Sequence, residues 1–513
     1  MNIFSYVVYS SQTFLNRIFS SFPMGKYEDV VNLALRRGIF FPAAEIYKTA
    51  AAGFYDYGPF GTSIRNNLLA EWRKWLRAEE FLEIDGAITL PADVFKASGH
   101  LESFNDPMTQ CKKTGAIIRA DKLLEEHGVK VTEGTPIEEL TKLIREKKLK
   151  SPAGGELSDV KQFNLMVKAD VGFGSKTACY LRPETCQSIF TAWNRVQQTN
   201  RVKLPQGISQ IGKSFRNEIS PRQTLLRQVE FVQAETEVFF DPAKINEIDG
   251  WEDTKHYKIN IQRVGEDKIE AVSADALANG IVSGKLIAYY LAKTQQFFEN
   301  LGIPKENMRF REVSNEERAF YAKEGWDFEV KTSLGWIELV ANNYRTDYDL
   351  TRHMEISGTN IQYVRDDGTK LTPHVWEISI GFDRTFYVVL EHALKQEGER
   401  TILSLKPNLA PLTCGIFPLL KNKPELVSKA QEVYKELKEC YPCMYDEAGS
   451  IGKRYARLDE VGVPYCITID FDSLTNNDVT LRERDTGAQK RIKISALKDT
   501  LYKLVTGTKF TEV

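Results

Sequence analysis

Apolar residues recur at helical intervals near the start of the chain. From Ile64 to Leu76 one follows every four residues, and arginines fall on the other faces of the stretch 62–80. This spacing predicts a long amphipathic helix. The next stretch, FLEIDGAITLP, ends at Pro91 and predicts one strand, because proline is tolerated at strand ends.

Between about 180 and 240 the pattern changes to strands separated by turns. Segments such as GISQIGKSFRNEI and VEFVQAETEVFF are typical of an antiparallel sheet with polar residues on one face. Residues 255–335 alternate strand-like pieces with a long helix, and they predict a second insertion, about 241–335, between two halves of that sheet. The polar face is the expected floor of a functional site.

A highly charged stretch at about 120–160, closed by Pro152, predicts a small inserted subdomain. Its charges fit either contact with RNA or an ordinary solvated surface. After Pro407, strands alternate with helices, which predicts a small α/β domain with a largely parallel sheet. The expected organisation is a main domain at 24–405, with both insertions, and a C-terminal domain at 406–513.

Composition narrows the class of protein. The 513 residues are enough for roughly two to four domains. With 42% hydrophobic and 27% charged residues, and no apolar run of the ~18 residues that a membrane span needs, a soluble protein without a membrane segment is expected. Lys and Arg number 68 against 70 Asp and Glu, so any RNA-binding surface must be local.

The cysteines and the N-terminus bear on location. The seven cysteines are scattered apart from CYPC, which lacks a second pair or a nearby histidine for zinc, and reduced cysteines in a reducing compartment are expected. Residues 1–23 contain Arg17, several serines and no acid, as in a weak organelle transit segment. An extension outside the fold of a cytoplasmic protein is favoured.

The stretch from Phe215 to Glu235 carries the most informative chemistry. Arg216 and Glu218 are two apart, and Arg227, Phe231 and Glu235 follow at intervals of four, so on two strands of a hairpin each set shares a face. That face offers guanidinium groups for phosphate, a ring for a purine, and carboxylates for an amine. An ATP platform is predicted; a solvated hairpin with cross-strand ion pairs is the alternative.

These segments resemble the class II aminoacyl-tRNA synthetases. FRNE followed by RQVEF and Glu235 is similar to their second signature motif, and WEISIGFDR, ending in Arg384, to their third. The helix at 62–80 with the strand to Pro91 resembles the first motif, which forms a dimer interface in the family. Segments similar to glycyl-tRNA synthetases of the dimeric type lie at 44–61, 98–108, 180–190 and 345–353, and the match runs from about 27 to the end.

The resemblance implies an α/β (α+β) fold: an antiparallel catalytic sheet flanked by helices, plus an α/β anticodon-binding domain. It implies a glycine–tRNA ligase that uses ATP and Mg²⁺ to form glycyl-adenylate and then charges tRNA(Gly), as a homodimer through 62–91. Arg216 and Arg384 are the implied catalytic residues. The implied ATP-binding residues are Arg216, Asn217, Glu218, Leu226, Arg227, Phe231, Glu338, Leu339, Gly381 and Arg384.

The same resemblance implies a pocket for glycine and a position for the metal ion. The implied glycine-binding residues are Arg119, Glu184, Phe231, Gln233, Glu235, Glu377 and Ser379. Three of them are carboxylates for the ammonium group, and Ser379 is expected to leave no room for a methyl group. Glu338 is the implied Mg²⁺ ligand, while Glu184 has a structural pair with Arg182 as its alternative.

Three departures lie near the expected pocket: KTAAA at 48–52, Ile378 where the family usually has proline, and ANNY before Arg345 where small residues are usual. Drift with repacking is favoured over altered substrate use. The alternatives are a class II synthetase for another small amino acid and a non-catalytic, nucleic-acid-binding relative. Candidate RNA contacts in the last domain are Lys421, Lys423, Lys453, Arg454, Tyr455 and Arg457.

Overall fold

A computed structural model describes residues 25–129, 131, 135–172, 177–219, 221 and 223–513. The extension expected at 1–23 lies outside these residues. The α-helices are α1 Lys26–Arg37, α2 Pro59–Ala78, α3 Ala92–Ala97, α4 His100–Ser103, α5 Ala120–Glu126, α6 Ile137–Glu146, α7 Cys186–Thr199, α8 Trp251–Thr254, α9 Ala274–Ala278, α10 Lys285–Leu301, α11 Tyr348–Ser357, α12 Phe382–Ala393, α13 Pro424–Leu437, α14 Ile451–Glu460, α15 Phe471–Asn476 and α16 Leu497–Val505. Among the described residues, no helix is both long and apolar enough to cross a bilayer.

Strands of the main domain form one large sheet and several small ones. The strands before the large antiparallel hairpin are β1 Phe40–Pro42, β2 Tyr55–Tyr57, β3 Leu82–Ile84, β4 Thr89–Pro91, β5 Asn105–Gln110, β6 Ile117–Arg119, β7 Lys161–Asn164, β8 Val167–Val171 and β9 Thr177–Leu181. Those that follow are β10 Gln206–Phe215, β11 Glu230–Phe240, β12 Lys258–Gln262, β13 Glu270–Ser273, β14 Met308–Glu312, β15 Glu324–Thr332, β16 Gly335–Thr346, β17 Tyr363–Val364, β18 Lys370–Leu371, β19 His374–Gly381, β20 Leu394–Glu397 and β21 Arg400–Leu403.

The large sheet has nine strands in the order β13-β12-β14-β15-β16-β19-β11-β10-β3. Its central pairs are antiparallel, and only the β3/β10 and β12/β14 pairs are parallel. Alternation along the strands sends Ala234, Ile378 and Ile380 into the apolar core and leaves the opposite face polar. The expected antiparallel sheet with a polar floor is confirmed.

The amphipathic helix expected at 62–80 is confirmed as α2. Its apolar stripe, from Ile64 to Leu76, is buried in the core of this chain, and Trp72 packs edge-on against Phe297 of α10 at 5.2 Å. The helix begins against β1, where a Cβ built on Gly61 would lie 1.8 Å from the Ile39 carbonyl oxygen. Only glycine permits so close a contact between helix and strand.

The prediction of one strand ending at Pro91 is wrong, because two strands in different sheets occupy that stretch. β3 joins the large sheet, whereas β4 pairs with β9. Between them the Arg182 guanidinium, 1% exposed, donates hydrogen bonds to the carbonyls of Gly86 and Ala87. A buried cation that must satisfy its donors on main-chain carbonyls holds the chain in this bend.

The segment expected to be an insertion at 241–335 extends the large sheet. It supplies the outer strands β12, β13, β14 and β15, and its helix α10 is buried in the same apolar core as the central strands. The charged stretch at 120–160 belongs instead to a small satellite. There α5 and α6 enclose their own cluster of buried residues, including Leu124, Leu140 and Ile144, beside the sheet β6-β5-β7.

The C-terminal strands are β22 Cys414–Pro418, β23 Cys443–Tyr445, β24 Tyr465–Ile469, β25 Asp478–Glu483 and β26 Gln489–Lys493. They form a sheet in the order β23-β22-β24-β25-β26. The expected α/β domain is confirmed, but its sheet is not largely parallel: the first three strands are parallel, and β25 and β26 extend the sheet through antiparallel pairs. This sheet has an apolar core of its own, between α13 and α16.

Candidate active site

A cavity of about 280 Å³ lies over the polar face of the central strands. Most of the residues expected at the site line it: Glu184, Arg216, Glu218, Leu226, Arg227, Phe231, Gln233, Glu235, Glu338, Leu339, Glu377, Ser379, Gly381 and Arg384. Arg119 and Asn217 are not among the lining residues. One end of the cavity is rich in arginine, and the other is built from buried carboxylates.

The arginine end is formed by a loop rather than by strand faces. β10 ends at Phe215 and β11 begins at Glu230, so the expectation that Arg216, Glu218 and Arg227 sit on strands is wrong. Gln223, with φ +59°, turns the chain through a left-handed conformation and into a short 3₁₀ turn. The side chains nevertheless meet, since Arg227 Nε lies 2.8 Å from Glu218 Oε2.

Arg216 lies between two aromatic rings. Its guanidinium carbon is 5.4 Å from the centre of the Phe104 ring and 5.3 Å from that of Phe231. Its Nε donates to the Pro183 carbonyl at 3.2 Å, and its side chain lines the cavity without a carboxylate partner among the described residues. Cation–π contacts of this kind hold an arginine in place without neutralising its charge.

Arg384 marks the far wall. It lies in the first turn of the helix α12 and donates to the carbonyl oxygens of Leu226 and Glu338, at 3.0 and 3.2 Å. The carboxylate of Glu338 is 3.9 Å away and half exposed. Nearby, burial and the charge of Glu338 raise the pKa of Asp327 to about 7.

Glu235 is the most tightly held carboxylate at the other end. Its Oε2 accepts from the backbone N–H and the hydroxyl of Thr185, at 2.5 and 2.6 Å, and its Oε1 accepts from Ser379 at 2.6 Å and Gln233 at 3.1 Å. Burial, followed by the neighbouring charge of Glu184, raises its pKa. Four donors fix its orientation.

Glu184 accepts hydrogen bonds from the thiol of Cys186 and the amide of Gln187, at 2.9 and 3.0 Å. His100 lies 3.4 Å from its other oxygen. Burial acts to raise the pKa of Glu184, but His100 and Arg345 outweigh it and hold the pKa well below the usual range. The alternative pairing of Glu184 with Arg182 is wrong, because Arg182 is committed to main-chain carbonyls.

Glu377 is bound on both oxygens. Arg345 Nη1 donates to one at 3.0 Å, and the Asn343 amide donates to the other at 2.8 Å. Arg345 is itself clamped by both oxygens of Asp349, at 2.7 and 2.8 Å. Burial, opposed by Arg345 and assisted by Glu235, raises the pKa of Glu377 to about 7.

Sequence reasoning missed several members of this acidic end. Glu237 faces Glu377 across the strand pair, is fully buried, and has no hydrogen-bond partner among the residues described. Burial, followed by the charge of Glu377, raises its pKa well above the usual range. The even spacing from Glu235 could have placed it on the polar face, as the four-residue spacing of Arg345 and Asp349 could have indicated their pairing.

Of the three departures from the family pattern, only one reaches the cavity. Ile378 is buried in the core, on the opposite face from Glu377 and Ser379. Residues 48–52 are exposed. Asn343 lines the cavity and holds Glu377, so it has replaced a small residue with a hydrogen-bond donor.

Arg119 and Asn217 lie beside the cavity. Arg119 forms ion pairs with Asp106 at 3.0 Å and Asp121 at 2.6 Å. Burial raises the pKa of Asp106 although Arg119 opposes it, and the charge of Glu218 adds to the rise. The backbone N–H of Asn217 donates to the Leu165 carbonyl. Neither side chain is positioned by the large sheet.

Half of the RNA contacts expected in the last domain are engaged within the protein. Arg454 is buried and donates to the Pro418 and Gly449 carbonyls, the Tyr455 hydroxyl meets Thr468 at 2.6 Å, and Arg457 pairs with Asp446. Lys421, Lys423 and Lys453 are exposed. The expectation for Arg454 is therefore wrong, because a buried arginine must satisfy its donors internally. Tyr455 and Arg457 are partly exposed, so RNA contact at these two residues stays a prediction.

Known proteins place the chain in a class and a family. Residues 174–393 match the class II tRNA synthetase core domain of the glycine, histidine, proline, serine and threonine type, and residues 413–504 match an anticodon binding domain. A glycine–tRNA ligase of Methanococcus maripaludis is 37% identical over 93% of this chain and all of the relative. Ligases of Pyrococcus horikoshii and Thermococcus gammatolerans are 38% and 37% identical over 94% of this chain and 99% of each relative.

The fold and site are those of a class II aminoacyl-tRNA synthetase. With relatives this similar over their whole length, the chain belongs to the glycine–tRNA ligase family. The resemblance that the sequence motifs carried is confirmed.

Proposed function

We propose that the protein activates glycine with ATP, releasing pyrophosphate, and transfers the glycyl group to the 3′ end of tRNA(Gly). One observation carries this proposal: buried carboxylates and a cluster of guanidinium groups share one cavity. Glu184, Glu235 and Glu377 suit an ammonium group, and Arg216, Arg227 and Arg384 suit a triphosphate. The two reactive ends of glycine and ATP would meet between them.

Glycine would be selected by charge and by space. The acidic end brings three carboxylates to one cavity, and of these only Glu377 is paired with the guanidinium of Arg345 among the described residues, so the acidic end suits a further cation. Ser379 donates to Glu235 and Asn343 to Glu377, which packs both side chains tightly where a larger substrate would place its Cβ. Steric exclusion rejects larger amino acids more strongly than a missing methylene penalises smaller ones.

ATP would lie along the arginine end. We propose that Arg216 grips the α-phosphate and that Arg227 and Arg384 grip the outer phosphates. Phe231 would stack on adenine, which requires Arg216 to leave the face of that ring, and Glu218 would accept from the exocyclic amine. Leu226, Leu339 and Gly381, which line the cavity, would frame the nucleotide together with Asn217 beside it. Arg119 would approach from the satellite to contact the glycine.

Glu338 is the proposed ligand of Mg²⁺. Its carboxylate lines the cavity, is half exposed and has only a distant ion pair, so its oxygens are available to a cation that prefers carboxylates, phosphate oxygens and water. Bound there, Mg²⁺ would offset charge on the phosphates. Burial, followed by the charge of Glu338, raises the pKa of the neighbouring Asp327 although Arg311 pairs with it at 2.7 Å, which fits a wall where carboxylates are concentrated.

The protein's own residues would act by alignment. Glycine carboxylate attack on the α-phosphorus needs no protein base and no covalent enzyme intermediate, so the protein contributes position and preorganised positive charge. Arg216, held by Phe104 and Phe231 rather than by a carboxylate, keeps its full charge for the developing phosphate negative charge.

We further propose a cytoplasmic homodimer. The cysteines of the described chain are all unbridged, as suits a reducing compartment. The apolar stripe of α2 is used inside the chain, so a dimer contact through 62–91 would fall to its exposed face and to β3. Sedimentation at micromolar concentration would test the dimer.

Amino-acid-dependent exchange of labelled pyrophosphate into ATP, measured with each of the twenty amino acids, tests the function. Exchange with glycine alone is expected. Exchange with alanine or serine but not glycine would overturn the substrate, and exchange with none would favour a non-catalytic, nucleic-acid-binding role.

A further inference from the structure

Loop 313–325, between β14 and β15, presents an exposed aromatic side chain beside the cavity. Phe320 is 65% exposed, the most exposed ring among the large hydrophobic residues described. Its ring meets those of Tyr321 and Tyr348 edge-on, at 5.3 and 5.5 Å. Tyr321 lines the main cavity and lies 4.0 Å from the Arg345 guanidinium, which holds Glu377.

Phe320 also reaches the opposite wall of the site. A Cβ built on Gly99 would lie 3.3 Å from Phe320 Cζ, and the next residue, His100, contacts Glu184. The exposed ring therefore stands between two segments that support carboxylates of the acidic end.

The same loop lines a second cavity, of about 320 Å³, with two cations. Among the described residues, neither Arg318 nor Lys323 has a carboxylate within ion-pair distance. The acids nearby are engaged: Glu312 pairs with Arg263 at 2.6 Å, and Glu317 pairs with Arg311 at 2.7 Å. The cavity thus keeps positive charge available to an anion.

Two more acids bear on this charge. Glu324 lines the second cavity but accepts hydrogen bonds from the Ser283 N–H at 3.0 Å and hydroxyl at 2.5 Å, and from the Trp326 indole at 2.9 Å. Glu316 is engaged by the backbone and by Ser314. Both carboxylates accept hydrogen bonds from neutral donors, and neither forms an ion pair with Arg318 or Lys323 among the described residues.

We propose that loop 313–325 binds the single-stranded 3′ end of the tRNA, with its terminal adenine stacked on Phe320 and a preceding phosphate held by Arg318 and Lys323. This inference rests on the proposed function. An exposed ring beside unpaired cations is the arrangement that binds single-stranded nucleic acid, because the ring stacks a base and the cations hold the backbone. The loop's contact with both walls of the acidic end would bring the terminal ribose hydroxyl to the activated glycine.

Phe320→Ala tests the stacking. Catalytic efficiency toward tRNA in charging should fall about tenfold, the scale of one lost base–aromatic stack, while glycine-dependent pyrophosphate exchange stays unchanged. Phe320→Trp should retain charging, and Phe320→Leu should not, because only tryptophan offers a ring. Tyr502→Ala, which removes a ring that is 64% exposed on α16, is the matched control.

A tRNA that lacks its terminal adenosine gives a second readout. The wild-type protein should bind it about tenfold more weakly than intact tRNA, and Phe320→Ala should bind both equally. Arg318→Ala with Lys323→Ala should weaken both tRNAs and reduce the salt dependence of binding by about one to two counterions. Lys258→Ala with Lys268→Ala, at the far edge of the large sheet, is the control for lost charge.

The outcomes separate the two proposals. Absence of glycine-dependent exchange in the wild-type protein overturns the proposed function. Normal exchange together with unchanged tRNA kinetics in Phe320→Ala and in the double cation variant overturns the role of the loop. Binding of phospholipid vesicles or of a protein that these variants abolish, with tRNA binding unaffected, would also overturn it.

Discussion

At the scale of single residues, the two ends of the cavity use charge in opposite ways. Arg216 is held by aromatic rings, which leave its positive charge uncompensated, whereas Arg345 is buried between Glu377 and Asp349 and is largely neutralised. A guanidinium that binds phosphate needs its positive charge uncompensated by a carboxylate. A guanidinium that orients a carboxylate has to form an ion pair with it.

Arg216→Ala should lower glycine-dependent exchange by about two to three orders of magnitude, the effect of removing one preorganised donor from a developing charge. The fold should survive, since Arg216 is partly exposed and makes one hydrogen bond. The melting temperature and exchange rate together check this. Lys213 lies on β10 shortly before Arg216 and is paired with Glu230 outside the cavity. Lys213→Ala should therefore leave exchange normal.

Glycine binding should depend on pH through Glu377. Its pKa of about 7 means that the carboxyl is half protonated near neutrality in the free protein, and a neutral carboxyl does not attract an ammonium group. The efficiency with glycine should therefore fall as the pH is lowered from 8 to 6, and binding at pH 6.5 should release protons to the buffer. A flat profile across this range would contradict the assignment.

Asn343→Ala offers a second test of the role of Glu377. The Asn343 amide lowers the pKa of Glu377, so its removal should shift the midpoint of the glycine profile to higher pH. The profile for ATP should not move. A shift to lower pH would mean that the ammonium group is held mainly by the other two carboxylates.

At the scale of elements, a close backbone contact between Gly61 and the carbonyl of Ile39 sets how α2 packs beside β1. Gly61→Ala would place its Cβ against the Ile39 carbonyl, and a backbone atom cannot move aside as a side chain can. We expect a loss of about 1–3 kcal/mol in the free energy of unfolding, as for overpacked cores. Thermal and denaturant unfolding would measure it.

Gly452→Ala in α14 is the control for that variant, because a Cβ there meets nothing within 4 Å. Alanine is a better helix former than glycine, so this variant should gain about 0.5–1 kcal/mol. Equal effects at both positions would show that the α2 contact is looser than its geometry indicates.

At the scale of the whole molecule, charged contacts join the C-terminal domain to the main one. Glu460 on α14 meets Arg36 and Arg37 on α1, and Arg400 reaches Asp459 at 3.1 Å. Charging needs both domains to meet one tRNA, whereas activation of glycine needs only the main cavity. The two activities should therefore respond differently to a change at this contact.

Glu460→Lys should lower the efficiency toward tRNA by about two- to fivefold, the scale of a partly exposed ion pair, and leave pyrophosphate exchange unchanged. Adding Arg36→Glu and Arg37→Glu should restore charging by reversing the pair. A parallel loss of exchange would mean that the contact shapes the main cavity.

The sequence could predict features that depend on neighbouring residues along one element, and it missed features that depend on distant segments of the chain. The four-residue repeat from Ile64 to Leu76 predicted α2, and the two-residue alternation around Glu235 predicted a polar sheet face, because both depend on neighbours along one element. The break between β3 and β4 was missed, because Arg182 imposes it from a distant segment.

The sequence by itself determined which chemical groups are present and, through its motifs, the family to which the chain belongs. Only the tertiary structure decided how those groups are partnered. Arg182 donates to backbone carbonyls, and Glu184 lies against His100. Arg345 and Asn343 donate to Glu377, and Arg454 is buried and donates to a backbone carbonyl. Residue identity fixes donors and acceptors, but which donor meets which acceptor depends on strands and loops far apart in the chain, and burial then decides which charges survive.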